Sequence, residues 1–512
     1  MTRLLVWLTL LIGFAGCTIN PVTGQRQLAL VSAEEEISIG RTQYSPSRQM
    51  QGGDYVLDPQ LTAYVRRVGQ RMAAVSDRAL PYEFSVLNSS IPNAWALPGG
   101  KIAINRGLLL ELDSEAELAA VLGHEVVHAA ARHGAQAMQR GLLLQGALLA
   151  TAAVTQGGNF SSLTVGAASV GAQLINQRNT REAELESDLY GMRYMSLAGY
   201  DAQAAVSLQQ TFLRLSEGRA EQGWLAGLFA SHPPSAERVQ QNRNTALSLR
   251  SGGEVGRERY QAAIDPLVQS KAAYDAYEDA RAALADGRNQ DAEDLAREAI
   301  RLEPNEGHFH SLLGDVDFAA DRYDSAVAHY RDAVTCNDQF FYYRLRKGLA
   351  HQYLQQWNDA QTDLEASVAL LPTADAYFAL GSIAEQRGEP DAALEHYRLA
   401  AESSTNAGQA AQDALVRLEL PGDPAKYLAL RTSLTTGGQL RVELANPTRL
   451  TVGQIVLAIR YIDTQGVLQQ TRRELRDPLP PSGAREYATG LGPFTSTQSY
   501  EVLIERANVI AE

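Results

Sequence analysis

Hydrophobic and polar positions change rhythm several times along this chain, and each rhythm predicts a different element. Asn20-Pro-Val-Thr-Gly24 is turn chemistry leading into an acidic helix from about Ser32. Leu61, Tyr64, Val65, Val68 and Met72 recur at helical spacing and mark the apolar face of an amphipathic helix. Tyr82–Asn88 then alternates with period two, and Lys101–Asn105 reads as a second strand after Gly99-Gly100. Between them, Ile91–Gly100 admits two readings. One is a plain hairpin connection, which the local pattern favours. The other is an edge segment whose free backbone groups could pair with an extended peptide.

The next stretch, Ser114–Gly134, carries a start and a stop for a helix. Ser114 with Glu117 spells a capping box, and Gly134 suits the position just past a helix end. Leu118, Ala119, Val121, Leu122, Val126 and Val127 make this helix mostly buried, so its histidines need partners. His124 and His128 stand one turn apart on one face, where two imidazoles can reach one metal ion. Glu125 lies beside them to handle a proton. Two histidines cannot complete a zinc site, which needs a third protein ligand. In Thr180–Gly191, Glu184 and Asp188 share a helical face. Glu184 can supply the missing ligand, and Asp188 can hold a ligand histidine by its other nitrogen. Two histidines and one glutamate leave a position open for water, which is a catalytic arrangement. His133 sits about 140° round the helix from His128 and is read as structural. The longer HExxHxxGxxH pattern fails at Ala131 and Gly134. Leu142–Val154 is apolar but short for a membrane span; it suits a buried helix or a flap over a cleft better than a segment dipping into a bilayer.

From about Ala273 a longer period takes over. Ala292, Ala326, Ala360 and Ala393 recur at steps of 34, 34 and 33, with Gly314, Gly348 and Gly381 in the same phase. Tyr330 and Tyr397 keep that phase, and Pro304 and Pro372 lie 68 apart. This is the period of tetratricopeptide repeats, about four of them, whose stacked helices make a concave surface for peptides or partner proteins. Five histidines in the array, His308, His310, His329, His351 and His396, lack ligand spacing and are assigned no chemistry. After Pro421-Gly-Asp-Pro424 the pattern alternates again, in Leu440–Leu444, Ile455–Ile462 and Tyr500–Glu505, and predicts a small β-sandwich.

Composition narrows the classes. A length of 512 residues suggests about three domains, and a net charge of −14 argues against a nucleic-acid partner. Two cysteines, Cys17 and Cys336, build neither a disulfide framework nor a thiolate zinc site. The first 17 residues form an address: Arg3, an apolar run from Leu4 to Phe14, then Ala15-Gly16 before Cys17. This resembles a bacterial lipoprotein lipobox, with Phe14 where leucine is usual. The resemblance implies lipidation at Cys17 and a periplasmic chain tethered to an envelope membrane. Thr18 and Ile19 after the cysteine favour the outer membrane on the same resemblance.

His124-Glu-Val-Val-His128, Glu184-Leu-Glu-Ser-Asp188, Asn93-Ala-Trp-Ala-Leu-Pro-Gly-Gly100 and Ser231-His-Pro-Pro-Ser-Ala-Glu-Arg238 together resemble, in order, the motifs of HtpX-like zinc metallopeptidases. That family includes the CAAX prenyl endopeptidases, and the present chain is most similar to periplasmic BepA-like members with a repeat tail. Ser187 stands where the family usually has alanine. The resemblance covers roughly Asn20 to Arg250 and implies a mainly α, α+β zincin-type peptidase domain over 18–262; the 34-residue period and the later alternation put the repeats over 263–420 and the β-sandwich over 421–512. The resemblance implies one Zn2+ per chain on His124, His128 and Glu184, in a gluzincin-like set, with Glu125 as general base and Asp188 behind the ligands. It also implies that Asn93, Ala94, Trp95 and Ala96 line the substrate edge, that Arg238 supports the site and that His232 lies near the metal. In BepA-like members the matching histidine can take the fourth zinc position and hold the enzyme latent. The expected function is a tethered zinc endopeptidase in quality control of envelope proteins, its repeats meeting outer-membrane assembly machinery or clients. The rival expectation is a latent or non-proteolytic chaperone or scaffold. A prenyl-type protease acting inside a bilayer is disfavoured, because long apolar spans are lacking.

Overall fold

Three short strands and two helices carry the candidate chemistry. The computed structural model describes residues 16–140, 179–218, 229, 231–463 and 465–510. The apolar stretch Leu142–Val154 and most of the predicted address (residues 1–15) lie outside them. Cys17 is placed on strand β1 (Gly16–Ile19), opposite Leu28 of β2 (Arg26–Ala29). No helix among the described residues is long and apolar enough to cross a membrane. The chain divides into two compact units, 1–356 with 369–371, and 357–368 with 372–512.

In the first unit, helix α1 (Ala33–Met50) starts at a complete capping box formed by Ser32 and Glu35. Helix α2 (Pro59–Ala73) starts at Asp58, whose carboxylate accepts from the Gln60 and Leu61 amides. The predicted stripe from Leu61 to Met72 is buried throughout. Strands β3 (Glu83–Leu87), β4 (Ala94–Leu97) and β5 (Lys101–Asn105) form one sheet in the order β3-β5-β4. β3 runs parallel to β5 and β4 antiparallel, so β4 is an edge strand. Ile91–Gly100 therefore holds parts of both readings: β4 and β5 form an antiparallel hairpin, and β4 is the edge strand of the sheet.

Helix α3 (Glu115–Ala130) is buried along its whole length. Its start differs in detail from the predicted capping box. Ser114 accepts from the Glu117 amide, but the Glu117 carboxylate reaches one residue further back, to the Asp113 N–H at 2.6 Å. Its end differs too. Arg132, with φ of 69°, takes the left-handed position assigned to Gly134. A guanidinium buried against Glu36 and the Val31 carbonyl holds that conformation in place of a glycine. Gly134 is small for another reason, since a Cβ there would lie 3.3 Å from the Pro98 ring. Helix α4 (Arg181–Leu197) packs across α3, followed by α5 (Gln203–Gly218), α6 (Ala236–Ser248) and α7 (Arg257–Gln269).

The repeats begin with the pairs α8 (Lys271–Ala285) and α9 (Asn289–Leu302), then α10 (Gly307–Ala319) and α11 (Tyr323–Cys336). Helix α12 (Phe341–Tyr353) ends the helices of the first unit. The periodic alanines sit where paired helices touch: Ala292, Ala326, Ala360 and Ala393 are fully buried. The glycine phase has the same cause. A Cβ on Gly314 would lie 2.7 Å from the Tyr330 ring, and one on Gly381 would lie 2.7 Å from Tyr397. Glu306, at the start of α10, fastens the first repeats to the sheet. It accepts from Asn88 Nδ2 at 3.0 Å and from the Tyr274 hydroxyl.

The second unit contains α13 (Trp357–Leu370) in large part, α14 (Ala374–Gln386), α15 (Pro390–Ala401) and α16 (Asn406–Glu419). Two three-stranded sheets follow. In chain order the strands are β6 (Ala429–Leu434), β7 (Leu440–Ala445), β8 (Val452–Ile462), β9 (Leu468–Leu475), β10 (Ala484–Ala488) and β11 (Tyr500–Val509). The sheet orders are β10-β7-β6 and β11-β8-β9. Leu440, Val442, Leu444, Ile455, Leu457 and Ile459 form one shared core, which makes this a small sandwich.

Candidate metal centre

Two helices and one loop converge on a single point. Helix α3 contributes His124 and His128, α4 contributes Glu184, and His232 precedes α6. One ligating atom from each lies within 4.8 Å of all the others. The Nε2 atoms of His124 and His128 are 2.9 Å apart, and each lies 3.3–3.4 Å from a Glu184 oxygen. His232 Nδ1 is 3.0 Å from Glu184 Oε1 and 3.3 Å from His124 Nε2. Tetrahedral zinc sites space nitrogen and oxygen ligands by about 3.4 Å, so the donor set is of the right size.

Tautomers sharpen the fit. His124 Nδ1 lies 2.9 Å from Asp188 Oδ1, and ionised Asp188 can only accept, so this nitrogen carries the hydrogen. His124 Nε2 is left with a lone pair. His128 Nδ1 lies 2.9 Å from His133 Nδ1, which lets His128 present its own Nε2 lone pair. Two lone pairs facing each other inside a buried site call for a cation between them. In the bare site a proton on His124 takes the place of that cation. Burial opposes charge on His124, yet Glu184 and Asp188 outweigh it and raise its pKa to about 10. Burial lowers His128 well below the ordinary histidine value. Burial opposes ionisation of Glu184, but His232, His124 and Arg238 hold it well below the usual carboxylate range. Asp188 is likewise lowered, burial being overcome chiefly by Arg238. The acids are ionised, and the centre draws positive charge to itself.

Glu125 is 3 % exposed, with His232 Nε2 3.5 Å from its Oε1. Burial raises its pKa against the pull of His232 and His124. Arg238 is fixed by its place in the first turn of α6, whose Ser235 cap accepts from the Arg238 amide. A cleft beside the cluster is lined by Ala94, Met192, Met195, Leu208 and Phe212 together with Glu125.

The residues expected at the site therefore separate into groups. His124, Glu125, His128, Glu184, Asp188, His232 and Arg238 are together. Ala94 lines the cleft. Trp95 points to the other face of the sheet, packed edge-on against Tyr44 with centroids 6.0 Å apart, and donates to Gln51. Asn93 is buried and borders a different cavity, and Ala96 is half-buried. His133 gains a more specific place than sequence gave it, touching His128 on one side and Glu186 at 3.4 Å on the other. Its five-residue spacing from His128 hid this, because the chain leaves α3 at Arg132 before His133 turns back. Met192 and Met195 were also missed; their spacing from Asp188, on the same helix face, is the signal that points to them.

Imidazoles at i and i+4 on one buried helix, with a carboxylate from the next, define a zincin-type metallopeptidase centre. Residues 59–246 match the family model described as Peptidase family M48, so this centre lies in a peptidase domain of family M48. Residues 277–339 and 345–411 match the tetratricopeptide repeat model. The chain is 26% identical over 369 residues to the beta-barrel assembly-enhancing protease of Yersinia pestis, covering 65% of this chain and 73% of that one. It is 32% identical over 225 residues to the mitochondrial metalloendopeptidase OMA1 of Schizosaccharomyces pombe, covering 43% and 64%. It is 28% identical over 198 residues to metalloprotease YcaL of Escherichia coli K12, covering 37% and 74%. The match to a Vibrio cholerae relative spans 40% of that protein's length. These relatives bear several different names, so the similarity does not single out one kind of peptidase.

Proposed function

We propose that this chain is a zinc-dependent endopeptidase of the bacterial envelope, tethered through Cys17 and acting on unfolded or misassembled outer-membrane proteins. The observation that carries the catalytic part is the convergence of His124, His128 and Glu184 beside a buried, otherwise unused Glu125. Zinc held there supplies Lewis acidity towards a carbonyl oxygen and towards water. Glu125 takes a proton from the attacking water and delivers it to the leaving amine. Asp188 holds His124 in the tautomer that presents Nε2, and Arg238 keeps Asp188 and Glu184 ionised. The outer edge of β4 receives the substrate backbone as an added strand. The repeats offer a surface for clients or for assembly machinery; the similarity to a beta-barrel assembly-enhancing protease supports β-barrel proteins as that class.

The test is Glu125→Gln in the full chain. Zinc content by elemental analysis stays at one per chain, and cleavage of casein falls by about 100-fold or more. Cleavage at the parental rate would remove Glu125 from the mechanism.

His232 favours a second reading. Its Nδ1 lies within the donor cluster, so it can close the fourth position and leave a latent chain that works as a scaffold through its repeats. Equal inactivity of the parent and of His232→Ala, both zinc-loaded, would support that reading over the peptidase.

A further inference from the structure

The turn Asn20-Pro-Val-Thr-Gly24 joins β1 to β2 and supplies neither a ligand nor the base. It is nonetheless built into the fold. Val22 belongs to the core that holds Val126 and Val127 of α3, and Asn20 is 5% exposed. Asn20 Oδ1 accepts from the Val22 N–H at 2.9 Å and from the Thr23 N–H at 3.3 Å, which settles which end of the amide is oxygen. Nδ2 donates to Glu186 Oε1 on α4 at 3.0 Å.

Glu186 Oε1 also lies 3.4 Å from His133 Nε2. A carboxylate only accepts, so the His133 hydrogen sits on Nε2 and its Nδ1 keeps a lone pair. Two neighbours can donate to that lone pair, His128 Nδ1 at 2.9 Å and Ser187 Oγ at 3.4 Å. His128 in turn offers a metal its Nε2 lone pair only when its own hydrogen is on Nδ1. The directions agree from end to end. Asn20 and His133 donate to Glu186, and His128 donates to His133.

The two ligand histidines are thus held differently. His124 donates directly to the Asp188 carboxylate. His128 reaches a carboxylate through a second imidazole, and that carboxylate is oriented from the leading turn. Other contacts press the same segment onto the same place. Gln136 donates to Gln27 of β2, and Arg132 Nη2 donates to the Val31 carbonyl at 2.6 Å. The left-handed backbone of Arg132 is what turns His133 back towards His128.

We propose that Asn20, Glu186 and His133 are positioning residues of the metal centre. Asn20 orients Glu186, Glu186 fixes the tautomer of His133, and His133 holds His128 in the tautomer that presents Nε2. The hairpin that carries Cys17 is in this way part of the metal site. This rests on the reading of His124, His128 and Glu184 as zinc ligands.

Zinc Kd of the full-length chain, by competition with a chelator of known affinity, tests it. Asn20→Ser keeps an oxygen for the turn amides but is too short to reach Glu186. It is expected to raise Kd about three- to tenfold, less than the roughly 10–100-fold typical of a group touching a ligand. His133→Phe is expected to show that larger loss, and His133→Gln, with an oxygen and an N–H to offer, to recover part of it. Thr23→Ala, in the same turn but outside the relay, should keep the parental Kd. NMR of the histidine ring nitrogens separates positioning from mere support. In the zinc-loaded parent the ring hydrogens belong on Nδ1 of His128 and Nε2 of His133. A hydrogen on His133 Nδ1, a parental Kd in Asn20→Ser, or an equal loss in Thr23→Ala overturns the relay while the metal centre stands. Should His133→Phe fail to fold, Asn20→Ser and the tautomers decide. A parent that takes up no zinc overturns the metal centre and the relay together.

Discussion

Arg238 grips Asp188 with two hydrogen bonds, Nε to Oδ2 at 2.7 Å and Nη2 to Oδ1 at 2.8 Å. Its third nitrogen, Nη1, reaches Glu184 Oε2 at 2.9 Å. One guanidinium thus orients both the carboxylate that holds His124 and the carboxylate that completes the donor set. Lysine keeps the charge but cannot make the fork. Arg238→Lys is expected to weaken zinc binding by about 10–100-fold, the cost typical of losing a group behind the ligands. Competition with a chelator of known affinity measures it, and parental affinity would reduce Arg238 to a source of charge.

The spacing of α3 and α4 sets the same geometry from behind. A Cβ on Gly191 would come within 3.2 Å of the His124 amide nitrogen and 3.3 Å of the Gly123 carbonyl carbon. Both are backbone atoms that cannot step aside. Gly191→Ala is expected to cost about 1–3 kcal/mol as an overpacked core position. It should also weaken zinc binding, because it moves Glu184 away from the histidines. Thermal unfolding with and without chelator separates the effects: the variant gains less from zinc than the parent does.

The two ligand helices were legible because each writes a local rule into the sequence. HEVVH fixes two imidazoles on one face, and the four-residue step from Glu184 to Asp188 fixes two carboxylates on another. The repeats were legible for a similar reason, since Ala292 and its counterparts must be small wherever helices pair. What stayed hidden depends on contacts distant in sequence. Arg132 takes a left-handed conformation only because Glu36, 96 residues earlier, receives its guanidinium. Trp95 and Ala94 belong to one motif, yet strand alternation sends them to opposite faces of the sheet. Asn93 acquires its cavity only when Ser311 arrives on a repeat helix.

Burial raises the Glu125 pKa above 4.5, the ordinary value, against the pull of His232 and His124. The bare site therefore favours the neutral carboxyl, and this has a consequence for the stability of the metal-free chain. A carboxyl whose folded pKa is raised stabilises the fold at low pH, and that contribution is lost as pH rises through the folded value. In the metal-free chain Glu125→Gln should therefore raise Tm, and by more at pH 8 than at pH 4. An increase that is the same at both pH values would show that Glu125 does not titrate abnormally.

His232 touches Glu184 through Nδ1 and faces Glu125 through Nε2 at 3.5 Å, so its ring stands between the base and the donor set. A substrate carbonyl approaching Glu125 would meet that ring. If the peptidase reading holds, removing the ring opens the approach, and His232→Ala is expected to raise kcat/KM on casein by about tenfold or more. This follows when the competent state is a minor fraction of the parent. Zinc should remain bound in the variant, because His124, His128 and Glu184 still supply three ligands. A fall in kcat with zinc retained would give His232 the opposite part, a group that assists the reaction. The two outcomes differ in sign, so one comparison of zinc-loaded parent and variant decides between them.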